Sequence, residues 1–284
     1  MFRIALCQMQ PSLLKSVRKH KEEARERAER MVRDAAAGGA VLVSLPEMWT
    51  CPYDTAVFRE YAEEEGGETW RFLAELAKEQ QIVLVGGSVP ELDPADDKVY
   101  NTAYVFDQTG ACIAKHRKAH LFDINAVGMA FRESDALGAG DKATVCEVTV
   151  EGSEGPETFG LGVAICYDIR FPELFRTMEL DGAKLVVLPA AFNMTTGPAH
   201  WDLSHRMRAV DNQIYMAGCS PARETKASYV AWGHSCVADP WGTFVAHADT
   251  KPCVLFAEID LAHLEDVRAR LPFLEQRRPA LYHL

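Results

Sequence analysis

The chain contains no CxxC pair, no run of 18 consecutive apolar residues, no long cluster of Lys or Arg and no Ser/Gly-rich linker. Each absence excludes something. The eight cysteines, Cys7, Cys51, Cys112, Cys146, Cys166, Cys219, Cys236 and Cys253, stand singly, which argues against a zinc knuckle or a thioredoxin-like site. Unpaired thiols fit a reducing compartment, where most behave as small buried hydrophobes. A helix crossing a bilayer needs about 20 apolar residues, so none is expected. The N-terminus, MFRIALCQMQP, reads as a short strand ending at a proline and is too poor in apolar residues for a signal peptide. A formal charge of -11 without a basic cluster argues against nucleic acid or an anionic membrane surface as the main partner. What remains is a soluble cytoplasmic protein acting on small molecules.

With 48% of 284 residues hydrophobic there is material for one large core. Leu13 to Ala37 carries apolar residues at Leu14, Val17, Ala24, Ala28, Met31 and Ala35 between charged runs, which predicts an amphipathic helix with a solvated face. VLVSLPE (41–47) reads as a buried strand, 55–80 as helix and IVLVGGSV (82–89) as another strand. TAYVFDQTGACIAKHRK follows, with Asp107 and Gly110 flanking a hairpin turn. The second half repeats the plan. FGLGVAIC is a strand, FPELFRTMELDG a helix with Pro172 in its first turn, KLVVLPAAF a strand, PAHWDLSHRMRAVDNQ a helix, QIYMAGCS a strand, and SCVADPWGTFVAHA a second hairpin around Asp239 and Gly242. This alternation predicts an α/β fold of two similar halves sharing one core, a single domain over 1–284.

In open α/β sheets, sites gather beyond the carboxyl ends of strands. Glu47 follows VLVSLP, Cys166 closes FGLGVAI, Lys118 ends the strand CIAKHR and Asn193 follows KLVVLPAAF. Singly, each has an ordinary reading: a loop acid, a core thiol, one charge among several in KHRK. Together they supply a nucleophile, a base to ionise it and a cation for an oxyanion, without a histidine. Other motifs are weaker. GLGVAI lacks the third glycine of a dinucleotide loop, and close sheet packing explains its glycines better. His116 and His120 have metal-pair spacing but no third ligand in the sequence around them, and YVAWGH (229–234) reads equally as pocket wall or loop packing.

LPEMW, HRKAHLFDI and ICYDIRFPEL together resemble, in order, the three signature segments of the nitrilase, or carbon–nitrogen hydrolase, superfamily. The resemblance spans essentially the whole chain, and AFNMTTGPAHW, RAVDNQIY, CSPARETKASYVAWGHS and DPWG make it most similar to the omega-amidases. It implies an α-β-β-α sandwich with two pseudo-symmetric halves, assembled as a homodimer and needing no cofactor or metal. It also implies roles: Glu47 as general base, Cys166 as nucleophile, Lys118 as oxyanion cation aided by the backbone N–H of Tyr167, and Glu133 as a second glutamate holding Lys118. Asp168, Arg170 and Glu173 are expected on the charged rim. The implied substrate is the monoamide of a short dicarboxylic acid, whose free carboxylate Arg170 is expected to grip bidentately. Tyr53 and Thr196 match family positions that hydrogen-bond the same end, and Tyr53, Thr196 and Lys226 are next in line should Arg170 not serve. Tyr167 and Asn193 complete the expected substrate contacts. The amidases of deaminated glutathione, which share CYDxRFPEL, are the neighbouring alternative. A non-catalytic metabolite-binding scaffold and a metal or redox protein are the readings from other classes.

Overall fold

The computed structural model describes residues 1–126 and 129–282. In chain order its regular elements begin with β1 (Phe2–Gln8), α1 (Val17–Ala37), β2 (Leu42–Ser44), α2 (Phe58–Tyr61), α3 (Glu68–Gln80) and β3 (Val83–Val85). There follow β4 (Val89–Asp93), β5 (Lys98–Phe106), β6 (Cys112–Arg117), β7 (Asp123–Ala126), β8 (Met129–Arg132), β9 (Thr144–Gly152) and β10 (Gly155–Val163). The remainder are α4 (Pro172–Leu180), β11 (Ala183–Pro189), α5 (Gly197–Asn212), β12 (Tyr215–Cys219), β13 (Cys236–Ala238), β14 (Phe244–His247), β15 (Cys253–Ile259) and α6 (Leu261–Arg270).

The duplication expected from the sequence is visible in the pairing. β1, β2 and β3 run parallel side by side, with α1 and α3 as the crossovers. β10, β11 and β12 do the same, with α4 and α5 between them. Each parallel trio carries an antiparallel strand on one side, β15 against β1 and β9 against β10, and an antiparallel hairpin on the other, β5–β6 and β13–β14. The two large sheets face each other: one hydrophobic cluster takes Ile4, Leu6, Leu42, Val83 and Val105 from the first and Leu161, Val163, Leu185, Val187 and Ala217 from the second. On the outer face of the first sheet Ala24, Ala28, Val32 and Ala35 of α1 pack with Leu73 and Ala77 of α3. On that of the second, Phe175 and Met178 of α4 and Trp201 of α5 are buried. The order is therefore α-β-β-α. Strands buried on both faces must be apolar throughout, which is why LVS, VLV and KLVVLP read as runs and not as alternation.

Three expectations shift in detail. The first helix begins at Val17, after Ser16 in an extended conformation, and Leu14 stays 42% exposed on the loop before it. The helix expected over 55–80 is two, α2 and α3, because the chain turns extended at Ala62 and Glu63 bridges to Glu91 of β4 before α3 begins. The edge strands β9 and β15, the ribbon β7–β8 and α6 complete the fold beyond the sequence reading. The glycines of GLGVAI do serve close packing: a Cβ on Gly162 would lie 2.8 Å from Val186 Cγ2 and 3.1 Å from Met178 Sδ.

Candidate active site

The carboxyl ends of β2, β10 and β11 converge between the sheets, and the loops leaving them carry the polar residues. Glu47 lies three residues past β2 and Cys166 three past β10, in a 3₁₀ turn over Cys166–Arg170. Cys166 itself has φ 44°, a left-handed conformation that is strained for a residue with a Cβ. Strain of this kind persists only where the surroundings enforce it. Lys118 directly follows β6 and Glu133 directly follows β8.

These four side chains, together with Tyr53, form one buried cluster. Lys118 Nζ donates to Glu47 Oε1 at 2.9 Å, to Glu133 Oε1 at 2.9 Å and to the Tyr53 hydroxyl at 3.3 Å, so all three ammonium protons have acceptors. Glu47 Oε1 also accepts from Asn101 Nδ2 at 2.9 Å, and its Oε2 accepts from the Ala191 backbone N–H at 2.8 Å. Glu133 Oε2 accepts from the Phe122 N–H at 2.6 Å. The Cys166 thiol lies close enough to the Glu47 carboxylate and the Ala191 backbone for both to act on its charge. Glu47, Lys118 and Glu133 are buried with fully inaccessible side chains, whereas Cys166 keeps 6% exposure.

A cavity of about 490 Å³ reaches this cluster at Glu47 and Tyr53 and is lined further by Ala191, Tyr229, Lys15 and Lys226; Cys166, Lys118 and Glu133 lie behind its wall. Tyr53 and Tyr229 stack with ring centroids 4.6 Å apart, and the Tyr229 hydroxyl donates to the Ala191 carbonyl at 2.6 Å. Of the substrate contacts expected from sequence, Tyr53 is on the wall; Tyr167, Arg170, Asn193 and Thr196 are not. The Tyr167 ring packs edge-on to Phe122 and Phe171. Asn193 Oδ1 accepts from the N–H groups of Thr195 and Thr196 and from the Thr196 hydroxyl, tying the start of α5. The Arg170 guanidinium lies over the rings of Phe192 and Tyr167 and 3.1 Å from His200 Nδ1, and it is not ion-paired to Asp168 or Glu173 among the described residues.

A model of the carbon–nitrogen hydrolase family matches residues 3–269. The chain is 47% identical over 282 residues to the mouse omega-amidase NIT2, covering 99% of this chain and 96% of that one, and 46% identical to its human counterpart over the same length. The chain belongs to the carbon–nitrogen hydrolase family. Among solved structures, Nit3 of Saccharomyces cerevisiae, a member of branch 10 of the nitrilase superfamily, superposes on this hydrolase with a TM-score of 0.84 at 41% identity, covering 98% of this chain and 96% of that one.

Charge in the hydrolase's cluster is set by burial. Burial pushes the Glu47 carboxyl above the ordinary carboxylate range, Lys118 opposing and Glu133 reinforcing the shift. Burial also pushes the Cys166 thiol well up, and the adjacent Glu47 adds to it. For Lys118 burial works the other way, but the carboxylates of Glu133 and Glu47 overcome it and hold the ammonium charged. The resting site is thus a neutral thiol beside a carboxylate with heightened proton affinity and a permanently charged ammonium.

One expectation is corrected. Asp168 is not on a solvated rim: it is fully buried, its Oδ2 accepting from Ile165 N–H at 2.9 Å and His116 Nε2 at 3.0 Å, its Oδ1 from His120 N–H at 2.9 Å and His120 Nδ1 at 2.8 Å. The sequence suggests a rim charge because the histidine partners of Asp168 lie some 50 residues away. The same bonds account for the His116/His120 spacing, and no group of three or more metal-ligand side chains occurs among the described residues.

Proposed function

We propose that this carbon–nitrogen hydrolase cleaves the terminal amide of short dicarboxylic acid monoamides, such as 2-oxoglutaramate and succinamate, to the acid and ammonia. The observation that carries the reading is the buried Glu47–Lys118–Glu133 cluster at 2.9 Å, with the Cys166 thiol beside Glu47. A buried carboxylate of raised proton affinity is a competent base for a thiol of raised pKa. Glu47 accepts the thiol proton as Sγ attacks the amide carbon. The oxyanion so formed accepts from the Tyr167 N–H and faces the charge of the Lys118 ammonium, which gives up its long 3.3 Å bond to Tyr53 to donate to it. On collapse the amide nitrogen takes the proton back from Glu47 and departs as ammonia, leaving a thioester. A water then gives its proton to Glu47 and its oxygen to the acyl carbon, the acid departs, and the thiol is restored. Glu133 holds Lys118 throughout. No step requires a metal or cofactor.

The substrate class rests on the omega-amidase relatives and on the cavity. A distal carboxylate needs a cation, and Lys15 and Lys226 stand on the wall without an ion pair among the described residues. Lys226 is the better placed. It precedes by three residues Tyr229, which is anchored to Ala191 and Tyr53, and three residues span at most about 10 Å, so Lys226 is the cation assigned to the distal carboxylate. Homodimeric assembly and a cytoplasmic setting complete the reading: Leu203 and Met207 leave an exposed apolar strip on α5, and all eight cysteines are free thiols. Ammonia release across dicarboxylate monoamides, deaminated glutathione, nitriles and carbamoyl amino acids tests the proposal. Fastest turnover of succinamate and 2-oxoglutaramate is expected; preference for deaminated glutathione, or for none of the amides, would refute it.

A further inference from the structure

The strained conformation at Cys166 must be held by something, and the buried carboxylate two residues later is where the restraints meet. Asp168 receives four hydrogen bonds. One comes from Ile165 N–H, which closes the 3₁₀ turn on itself, and three come from His116 and His120. Those two histidines flank Lys118 at equal distance, two residues before and two after it. The same carboxylate therefore ties the turn bearing the thiol to the segment bearing the ammonium.

The histidines are themselves fixed. His116 is buried, and its Nδ1 lies 3.0 Å from the Thr144 hydroxyl at the start of β9, across from its own strand β6. His120 stacks face to face on Phe171, the residue that ends the turn, with centroids 3.6 Å apart and planes 9° from parallel. Each histidine donates one ring N–H to Asp168, which assigns Nε2–H to His116 and Nδ1–H to His120. Against its burial, the hydrogen bonds of His116 and His120 hold the Asp168 carboxyl far below the usual carboxylate range, which favours the ionised form that accepts from all four donors.

We infer that Asp168, clamped between His116 and His120, is a positioning residue: it enforces the left-handed turn that aims Cys166 Sγ at Glu47 and fixes the distance from the thiol to Lys118. The inference rests on Cys166 being the nucleophile but not on which amide is hydrolysed. An anion is required here, because all four partners are donors. Asn in its place would turn an NH2 group towards two of them and open the turn. A misplacement of about 1 Å at a reacting atom costs on the order of a hundredfold in rate.

The test is Asp168→Asn, assayed for kcat and KM on whichever amide the wild type turns over best and for the rate at which iodoacetamide alkylates Cys166, followed by peptide mass spectrometry. The expected result is a kcat lower by about ten- to a hundredfold with KM within about twofold, and slower alkylation at Cys166 alone among the eight thiols. If the variant does not fold, the half-exposed His120 replaces it: His120→Ala should lower kcat and Cys166 alkylation, and His120→Asn, whose amide N–H takes the place of Nδ1–H, should recover much of both. A purely structural clamp would lower the melting temperature yet leave kcat per folded molecule and the alkylation rate as in the wild type. That outcome in Asp168→Asn, or in His120→Ala where Asp168→Asn is insoluble, would overturn the inference. A wild type inactive on every amide but still alkylated selectively at Cys166 would refute the amidase reading, and the alkylation comparison would continue to test the clamp.

Discussion

Replacing Lys226 by Gln should convert a preference for charged substrates into near indifference, and the size of the effect follows from where the side chain sits. Lys226 is solvent-exposed at the mouth of the cavity while Lys118, deeper in, is saturated by Glu47, Glu133 and Tyr53. A unit-charge pair about 4 Å apart is worth about 1 kcal/mol in bulk water and about 4 kcal/mol at the effective dielectric of a protein surface. Desolvation of both partners and the immobilised lysine side chain offset part of that, leaving about 1–2 kcal/mol, or roughly a 5- to 30-fold change in kcat/KM. The assay is ammonia release from succinamate and from butyramide, an amide of equal length without the carboxylate. Lys226→Gln should lose about 5- to 30-fold on succinamate and less than about twofold on butyramide, and raising the salt concentration should shrink the wild-type advantage because an exposed pair is screened within about 10 Å at 0.1 M. Arg170→Lys should change neither substrate by more than about twofold, its guanidinium being occupied by Phe192, Tyr167 and His200. Equal losses on both amides in Lys226→Gln would refute the reasoning. Selectivity lost in Arg170→Lys instead would move the carboxylate back to the residue the sequence first suggested.

Cys166→Ala should abolish turnover and leave the fold intact, and intact-mass spectrometry of the wild type at early times should detect an acyl adduct that the variant lacks. Glu47→Gln and Lys118→Ala should each lower kcat by at least about a hundredfold, and because the two groups share one hydrogen bond and serve one step, the double variant should lose far less than the product of the single losses. The acid limb of the kcat/KM profile should lie above the ordinary carboxylate range: burial raises the Glu47 carboxyl, the base must be ionised to act, and activity is therefore lost as pH falls through that raised value. A limb at the pKa of a free glutamate would show that Glu47 is not the base.

How much of this was legible in the sequence depends on the range over which each feature is determined. Buried parallel strands announce themselves as short apolar runs, and the residues just beyond them, Glu47 and Cys166, inherit their place from the strand that ends there. The duplicated plan was legible because each half repeats the same local alternation. The failures were of another kind. β15 closes the first sheet from the far end of the chain, Phe2 facing Ile259, and nothing local in CVLFAEI says which sheet it joins. Asp168 reads from sequence as a charge on the rim of the site because burial of an ion depends on its partners, and His116 and His120 meet it only in the fold. Arg170 was favoured for the substrate carboxylate on sequence distance from the thiol, but a 3₁₀ turn with its first residue left-handed does not carry residue i+4 to the side of residue i, as a helix would. The guanidinium is delivered to the aromatic face of Phe192 instead, and the cations left facing the cavity come from loops, Lys15 before α1 and Lys226 after β12, whose position periodicity does not encode. Chemistry that depends on one residue's place along a strand can thus be read from sequence, whereas selectivity, built from loops that meet in space, has to be read from the cavity wall.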